Sequence, residues 1–202
     1  MTIGTKVPAS DTIDVRSRRR EQTREEILAA AWELAERDGI ASLSLRDLAS
    51  AVGMRAPSLY TYFPSKAAIY DEMFATGYRQ LDAAMEAAEV NADDPIGSLA
   101  ASFEAFLDFC SASVARYQLL FTRAIPDWEP SADAYAVSVA SFDQMTQRLG
   151  ALGIDDPRAV DLLTALTSGL ASQQLANDPG GDRWRRLSRD AAAMFHSHIG
   201  GS

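Results

Sequence analysis

Leu45-Arg46-Asp47-Leu48-Ala49-Ser50-Ala51-Val52-Gly53-Met54-Arg55-Ala56-Pro57-Ser58-Leu59-Tyr60-Thr61-Tyr62-Phe63-Pro64-Ser65-Lys66 is the stretch that decides the fold. Ser44 before Leu45, with Asp47 three residues on, forms a capping-box arrangement. The serine oxygen accepts a backbone N–H while the carboxylate sits in the positive first turn. Leu45, Leu48, Ala49 and Val52 recur at helical spacing and turn Arg46 and Ser50 outward. Gly53 ends this helix where a left-handed residue is tolerated. Pro57 suits the first turn of a second helix, over about residues 56–62, because an N–H there lacks a partner anyway. Leu59 and Phe63 lie one turn apart and face the core, and Ser65 caps a further helix that opens on Lys66.

Two short helices about a glycine turn are the layout of a helix-turn-helix, which sets its second helix in the DNA major groove. Small residues at Ala56 and Ser58 allow close approach to base edges, and the hydroxyls of Ser58, Thr61, Tyr60 and Tyr62 reach bases or phosphates. Lys66, at a helix start, suits a backbone phosphate. Phe63 and Leu59 read as packing residues. Tyr60 and Tyr62 read as phosphate contacts, since tyrosine is half polar and so short a helix cannot bury every side chain.

The segment Leu59-Tyr60-Thr61-Tyr62-Phe63-Pro64-Ser65-Lys66 resembles the signature of the TetR family of transcriptional repressors. The resemblance implies that Arg46, Arg55, Ala56, Pro57, Ser58, Tyr60, Tyr62 and Lys66 face DNA. Many members have Ser or Thr where this chain has Arg55, so a capping hydroxyl is exchanged for a charge that reads guanine or binds phosphate. The motif is specific over the first 66 residues; beyond them the resemblance is one of helix pattern, through about residue 200.

The net charge of −9 looks wrong for a nucleic-acid binder until it is divided along the chain. Residues 1–66 hold ten Lys/Arg and nine Asp/Glu, a net of +1, whereas residues 67–202 hold nine and nineteen, a net of −10. The acidic part is repelled by DNA and the first part is not. Arg16-Ser17-Arg18-Arg19-Arg20, with Arg24 behind, is the densest basic cluster and follows a polar segment, Met1 to Val15, of disordered composition. It reads either as a basic arm reaching DNA or as a solvated charge run. The expected organisation is a flexible basic arm over 1–19, a DNA-binding domain over 20–66 and a ligand-binding and dimerisation domain over 67–202.

Alanine-rich composition and scarce alternating Val/Ile/Thr runs predict an all-α chain of about nine helices, with ample core at 202 residues. The first helix covers about 20–37, with Ile27, Leu28, Ala31, Leu34 and Ala35 inward, and Asp38-Gly39 ends it. The fourth, about 66–88, is long enough to link a head to a second domain, and the resemblance implies that it carries a ligand signal. Later helices are expected near 96–113, 116–123, 131–152, 157–177 and 182–199, with an Ile125–Pro130 loop holding an exposed Trp128. Asp156-Pro157 and Asp182 are expected to cap the last two.

The aromatic set Phe103, Phe106, Phe109, Tyr117, Phe121, Trp128, Tyr135 and Phe142 is the candidate ligand site, since family members keep an inducer cavity there. Plain core is the competing reading for most of these residues. A largely apolar effector, oriented by Gln173, Gln174 or Tyr117, is expected. The small-residue line Ala165, Gly169, Ser172 and Ala176, with Leu162, Leu166 and Leu170 beside it, permits close helix approach. The last helix adds Trp184, Leu187, Ala191, Met194 and Phe195. The resemblance implies that these two helices pair with their symmetry mates in a homodimer, which suits a palindromic double-stranded operator; intramolecular core is the alternative for part of each stripe.

Other functions find less support. His196 and His198 lie two apart on a helix, poor spacing for a metal, and Cys110 has no evident base partner. No glycine-rich phosphate loop or carboxylate pair stands out, so neither catalysis, a metal nor a cofactor is expected. No apolar run reaches membrane-spanning length, no signal-peptide pattern opens the chain, and a single cysteine suits a reducing cytoplasm. The runner-up is a helical protein-interaction module that has lost DNA binding.

Overall fold

A computed structural model describes residues 9–199. The described residues form nine α-helices and two 3-10 turns, with no strand. The chain divides into two compact units, Met1–Tyr70 and Asp71–Ser202.

The first unit holds α1 (Ala9–Asp38), a 3-10 turn (Ile40–Ser42), α2 (Leu45–Ala51), α3 (Ala56–Leu59) and the first turn of α4 (Lys66–Glu86). Ile27, Ala31, Leu34 and Ala35 on α1 are buried, as are Ile40, Leu48, Leu59, Phe63 and Ile69. Leu28 stays half-buried. The Tyr70 hydroxyl donates to the Ile40 carbonyl at 2.9 Å, so the polar tip of this buried ring is satisfied.

Two features of this unit differ from expectation. The first helix starts at Ala9, so the basic cluster Arg16–Arg20 lies on α1 and not on an arm ahead of it; the part of the expected arm over residues 1–8 lies outside the described residues. The regular turn of α3 stops at Leu59 and not at Tyr62. Thr61 and Tyr62 continue it only through tightened bonds to the carbonyls of Ser58 and Leu59, at 3.2 and 2.9 Å. Pro64 keeps the segment from continuing as helix past Tyr62, because the residue before a proline is pushed out of the α region.

The second unit holds the rest of α4, α5 (Pro95–Ala112), α6 (Val114–Phe121), α7 (Ala132–Ala151), α8 (Ala159–Asn177), a 3-10 turn (Arg185–Leu187) and α9 (Ser188–Ile199). Asp94, Ser113 and Ser131 cap α5, α6 and α7 with their side chains. The most apolar of the longer helices, α5, packs against α8 and α9. Their shared core includes Leu99, Phe103, Leu107, Leu163, Leu170 and Phe195.

The expected caps of the last two helices are corrected. The Asp156 carboxylate receives the Arg158 backbone N–H at 2.8 Å and its guanidinium at 2.7 Å, ahead of a helix that starts only at Ala159. Asp182 accepts from the Arg186 N–H through its backbone carbonyl, and a 3-10 turn intervenes before α9. Trp128 is half-buried rather than exposed, its ring edge-on to Phe74 at 5.9 Å.

Candidate DNA-binding face and effector cavity

The turn between α2 and α3 is built as its residues require. Ser44 Oγ accepts from the Asp47 N–H at 3.4 Å, and Gly53 takes φ 67°, the left-handed region that favours glycine. Arg55 precedes α3 in extended backbone, with no capping bond from its side chain. Leu59 is the buried anchor of α3. Around it Arg46, Arg55, Pro57, Ser58, Tyr60 and Thr61 are exposed, and Ala56, Tyr62 and Lys66 half-buried. Tyr60 stands more than half open, at 54 %, although its ring is large and mostly apolar. Lys66 holds its ammonium 5.3 Å from the Tyr70 ring centre, a cation–π contact. Ser65 Oγ accepts from the Ala68 N–H at 3.1 Å and caps α4 behind it.

Two α1 arginines that the basic-cluster reading treated only as charge have a structural task. Arg20 Nη2 donates to the Thr61 carbonyl at 2.9 Å, and Arg24 Nη1 to the Tyr62 carbonyl at 2.7 Å. The Arg24 guanidinium also lies 4.4 Å over the Phe63 ring. These bonds satisfy carbonyls that the short α3 cannot use internally. The sequence signal for Arg24 was its place one turn before Ile27, on the inward side of α1.

The second unit contains a cavity of about 500 Å³. Its walls come from α4, α5, α7 and α8, with Phe121 of α6. Of the aromatic candidates, Phe103, Phe106, Phe121, Tyr135 and Phe142 line it. Phe109 does not: it is core beneath Arg116, whose guanidinium lies 4.0 Å over its ring. Tyr117 meets Phe121 at 5.9 Å without reaching the lining, and Trp128 packs on Phe74.

Gln173 and Gln174 are corrections too. Gln173 is exposed and bonds Asn177 at 2.7 Å. Gln174 is buried and holds the turn after α8: its Oε1 accepts from the Trp184 and Arg185 N–H groups at 2.9 and 3.2 Å, and its Nε2 donates to the carbonyls of Asp178 and Gly181. Its polar atoms are consumed there, so it orients no ligand.

Polar side chains on α4 and α7 escaped the sequence reading. The Asp71 carboxylate receives the Ser131 N–H at 3.2 Å, the Asp82 carboxylate receives the Ser141 hydroxyl at 2.5 Å, and Arg148 Nη2 donates to the Ala88 carbonyl at 2.5 Å. The paired positions are 60, 59 and 60 residues apart, so α4 and α7 run parallel and in register. Only Ala134 and Leu149, near its two ends, are buried on α7. Between them Tyr135, Val139 and Phe142 are both cavity-lining and exposed. The middle of α7 thus forms an open wall. The signal was the i, i+4 spacing of Tyr78 and Asp82, which puts both on one face of α4.

Of the expected dimer residues, Leu170, Ala191 and Phe195 belong to the chain's own core, with Leu166, Trp184 and Leu187 packed against it. Leu162, Gly169 and Met194 lie outside that core, and Leu162 and Met194 are exposed. Wide apolar stripes divide in this way when one side of the helix is already covered.

A three-helix head with a capped helix-turn-helix and a separate helical unit enclosing a cavity define a DNA-binding regulator. The profile described as "Bacterial regulatory proteins, tetR family" matches residues 27–73. The match covers the helix-turn-helix and the start of α4, and residues 27–73 of this chain are similar to that family. The comparison with curated proteins gives no match. Among solved structures, a protein described as regulatory, SCO4313, superposes with a TM-score of 0.73 at 22% identity, over 90% of this chain and 98% of that one. The TetR family transcriptional regulator PfmR from Thermus thermophilus gives 0.62 at 22%, over 85% and 94%. RolR, solved in complex with the ligand resorcinol, gives 0.61 at 15%, over 91% and 90%. These similarities carry the fold. Among the described residues no helix is long and apolar enough to cross a membrane.

Proposed function

We propose that this protein is a cytoplasmic, homodimeric transcriptional repressor without catalytic activity, released from a palindromic operator when a small, largely apolar effector enters the cavity of its second unit. The observation that carries the reading is the cavity of about 500 Å³ with five of the candidate aromatic side chains on its walls, in a chain that bears a helix-turn-helix. Arg46, Arg55, Ala56, Pro57, Ser58, Tyr60, Thr61, Tyr62 and Lys66 form the DNA-contacting set. Leu162, Gly169 and Met194 belong to the face that pairs two copies. RolR supports the effector part, since a protein of this fold holds a small aromatic ligand.

The mechanism runs through α4, which belongs to both units. An effector that binds better when α7 is displaced shifts α4 through the ties between them. The DNA-matched arrangement of the dimer is then disfavoured by that difference in affinity. The test is binding of the purified protein to a labelled fragment from upstream of its own gene, titrated against salt. Tight binding that beats random DNA, weakens steeply with salt and is lost in the Arg46→Ala/Lys66→Ala double variant is expected. Binding no better than to random DNA, and unchanged in the double variant, would overturn the reading.

A further inference from the structure

The effector's chemistry can be taken further, on the footing that the cavity is an effector site. The lining is mostly apolar, with neutral polar side chains on α5, α7 and α8, Gln144 among them, and its charged side chains are Asp82 and Glu86 from α4 and Arg148 from α7. Arg148 gives an Nη2 hydrogen to the Ala88 carbonyl, just past the end of α4. Asp82 has as its hydrogen-bond donor the neutral Ser141 hydroxyl. Among the described residues neither Asp82 nor Glu86 forms an ion pair. An ionised carboxylate offers about four lone-pair sites, and one hydroxyl leaves most of them open.

The surroundings of Asp82 favour positive charge a second time. Tyr78, Phe121, Tyr135 and Phe142 line the same cavity, and the faces of aromatic rings attract cations. Burial pushes the Tyr78 phenol up to about 12, with Tyr135 and Asp82 adding to the effect, so at neutral pH it brings no competing charge. An anionic head group would meet two carboxylates against one arginine. A neutral acceptor would find hydroxyl donors on the walls but would leave the charge of the Asp82 carboxylate unpaired.

We propose that the effector is a lipophilic ammonium ion, its N–H donated to the Asp82 carboxylate and its hydrocarbon body laid against the aromatic walls. An ammonium paired with Asp82 neutralises the charge that strengthens its hydrogen bond from Ser141. The ligand therefore loosens the middle one of the three ties that hold α7 to α4, which gives it the differential affinity that regulation requires.

The experiment uses the full chain and three probes with one skeleton: 4-phenylbutylamine, 4-phenylbutan-1-ol and 4-phenylbutanoate, followed by calorimetry and thermal unfolding at neutral pH. The amine is expected to bind at least about tenfold tighter than the alcohol, with the carboxylate weakest, as a charge-assisted hydrogen bond predicts. Asp82→Asn should bring the amine down to the alcohol's affinity and leave the alcohol within about twofold. Ser141→Ala, which frees the carboxylate without removing its charge, should tighten the amine severalfold, and it keeps the question answerable if Asp82→Asn fails to fold. Ser102→Phe, which fills the cavity, should abolish all binding. Alcohol or carboxylate binding that matches the amine and is lost in Ser102→Phe would overturn the ammonium assignment and leave the cavity reading standing. An amine preference that persists in Asp82→Asn would overturn the role of Asp82. Binding of none of the three, or binding indifferent to Ser102→Phe, would overturn both readings.

Discussion

Arg24 on α1 donates to the Tyr62 carbonyl at 2.7 Å and lays its guanidinium 4.4 Å over the Phe63 ring. One side chain thus fixes the end of the recognition segment from both its polar and its apolar side, which makes Arg24 a positioning residue. Arg24→Ala is expected to weaken specific DNA binding about tenfold or more, by leaving a carbonyl unsatisfied and the segment loose. The slope of affinity against salt should stay as it is, because no phosphate contact is removed. Fluorescence anisotropy at several salt concentrations separates the two quantities.

Lys66 predicts the opposite pattern. Its ammonium, 5.3 Å from the Tyr70 ring, is half-buried at the start of α4, where the proposed function puts a phosphate contact. Lys66→Ala should weaken specific and random DNA alike and reduce the salt slope by about one. A change confined to one sequence would argue for a base contact instead.

Gly53→Ala isolates a backbone effect. Gly53 has φ +67°, and nothing lies within 4 Å of where a Cβ would stand. The substitution therefore costs only left-handed strain, about 1–2 kcal/mol. Chemical unfolding should show the midpoint falling while the dependence on denaturant is unchanged.

Gln174→Leu removes bonds to four backbone groups between Asp178 and Arg185. A loss of about 1–3 kcal/mol in stability is expected, because buried partners are left unpaired. Effector affinity should be unchanged, since Gln174 lies off the cavity lining. Direct loss of ligand binding at full stability would return Gln174 to the ligand site.

Titration gives a further check. Burial pushes the Cys110 thiol up from 9.0 to about 12, and the phenols of Tyr70 and Tyr78 up from 10.0 to about 12. Each group is favoured in its neutral form by folding. Their contribution is thus fully present below about pH 9 and is lost as pH rises toward about 12. Thermal melts should show stability falling across that alkaline window. At about pH 8, below the ordinary thiol range, a thiol reagent should label Cys110 only as fast as the chain opens.

Ser44, Gly53, Pro57 and Ser65 made the helix-turn-helix legible because each acts on its nearest neighbours in the chain. Apolar spacing likewise located α5 and the core face of α8. Legibility ended where spacing could not say which of two partners a face meets. Phe109 and Phe106 sit three residues apart on α5, yet one is core under Arg116 and the other lines the cavity. Leu170 and Leu162 share α8, yet one is buried and the other exposed.

By itself the sequence determined most of the helices, the caps of the DNA-binding head, the turn that makes that head and the acidic balance of residues 67–202, because these depend on local backbone preferences and on summed charge. Tertiary structure alone decided that Arg20 and Arg24 hold the Thr61 and Tyr62 carbonyls, that Gln174 is structural, and that Asp82 meets Ser141 at the wall of a cavity. Those relationships join residues as far as 59 positions apart. Hydrogen bonds of about 2.5–3 Å depend on how helices pack together, which no periodicity within one helix records.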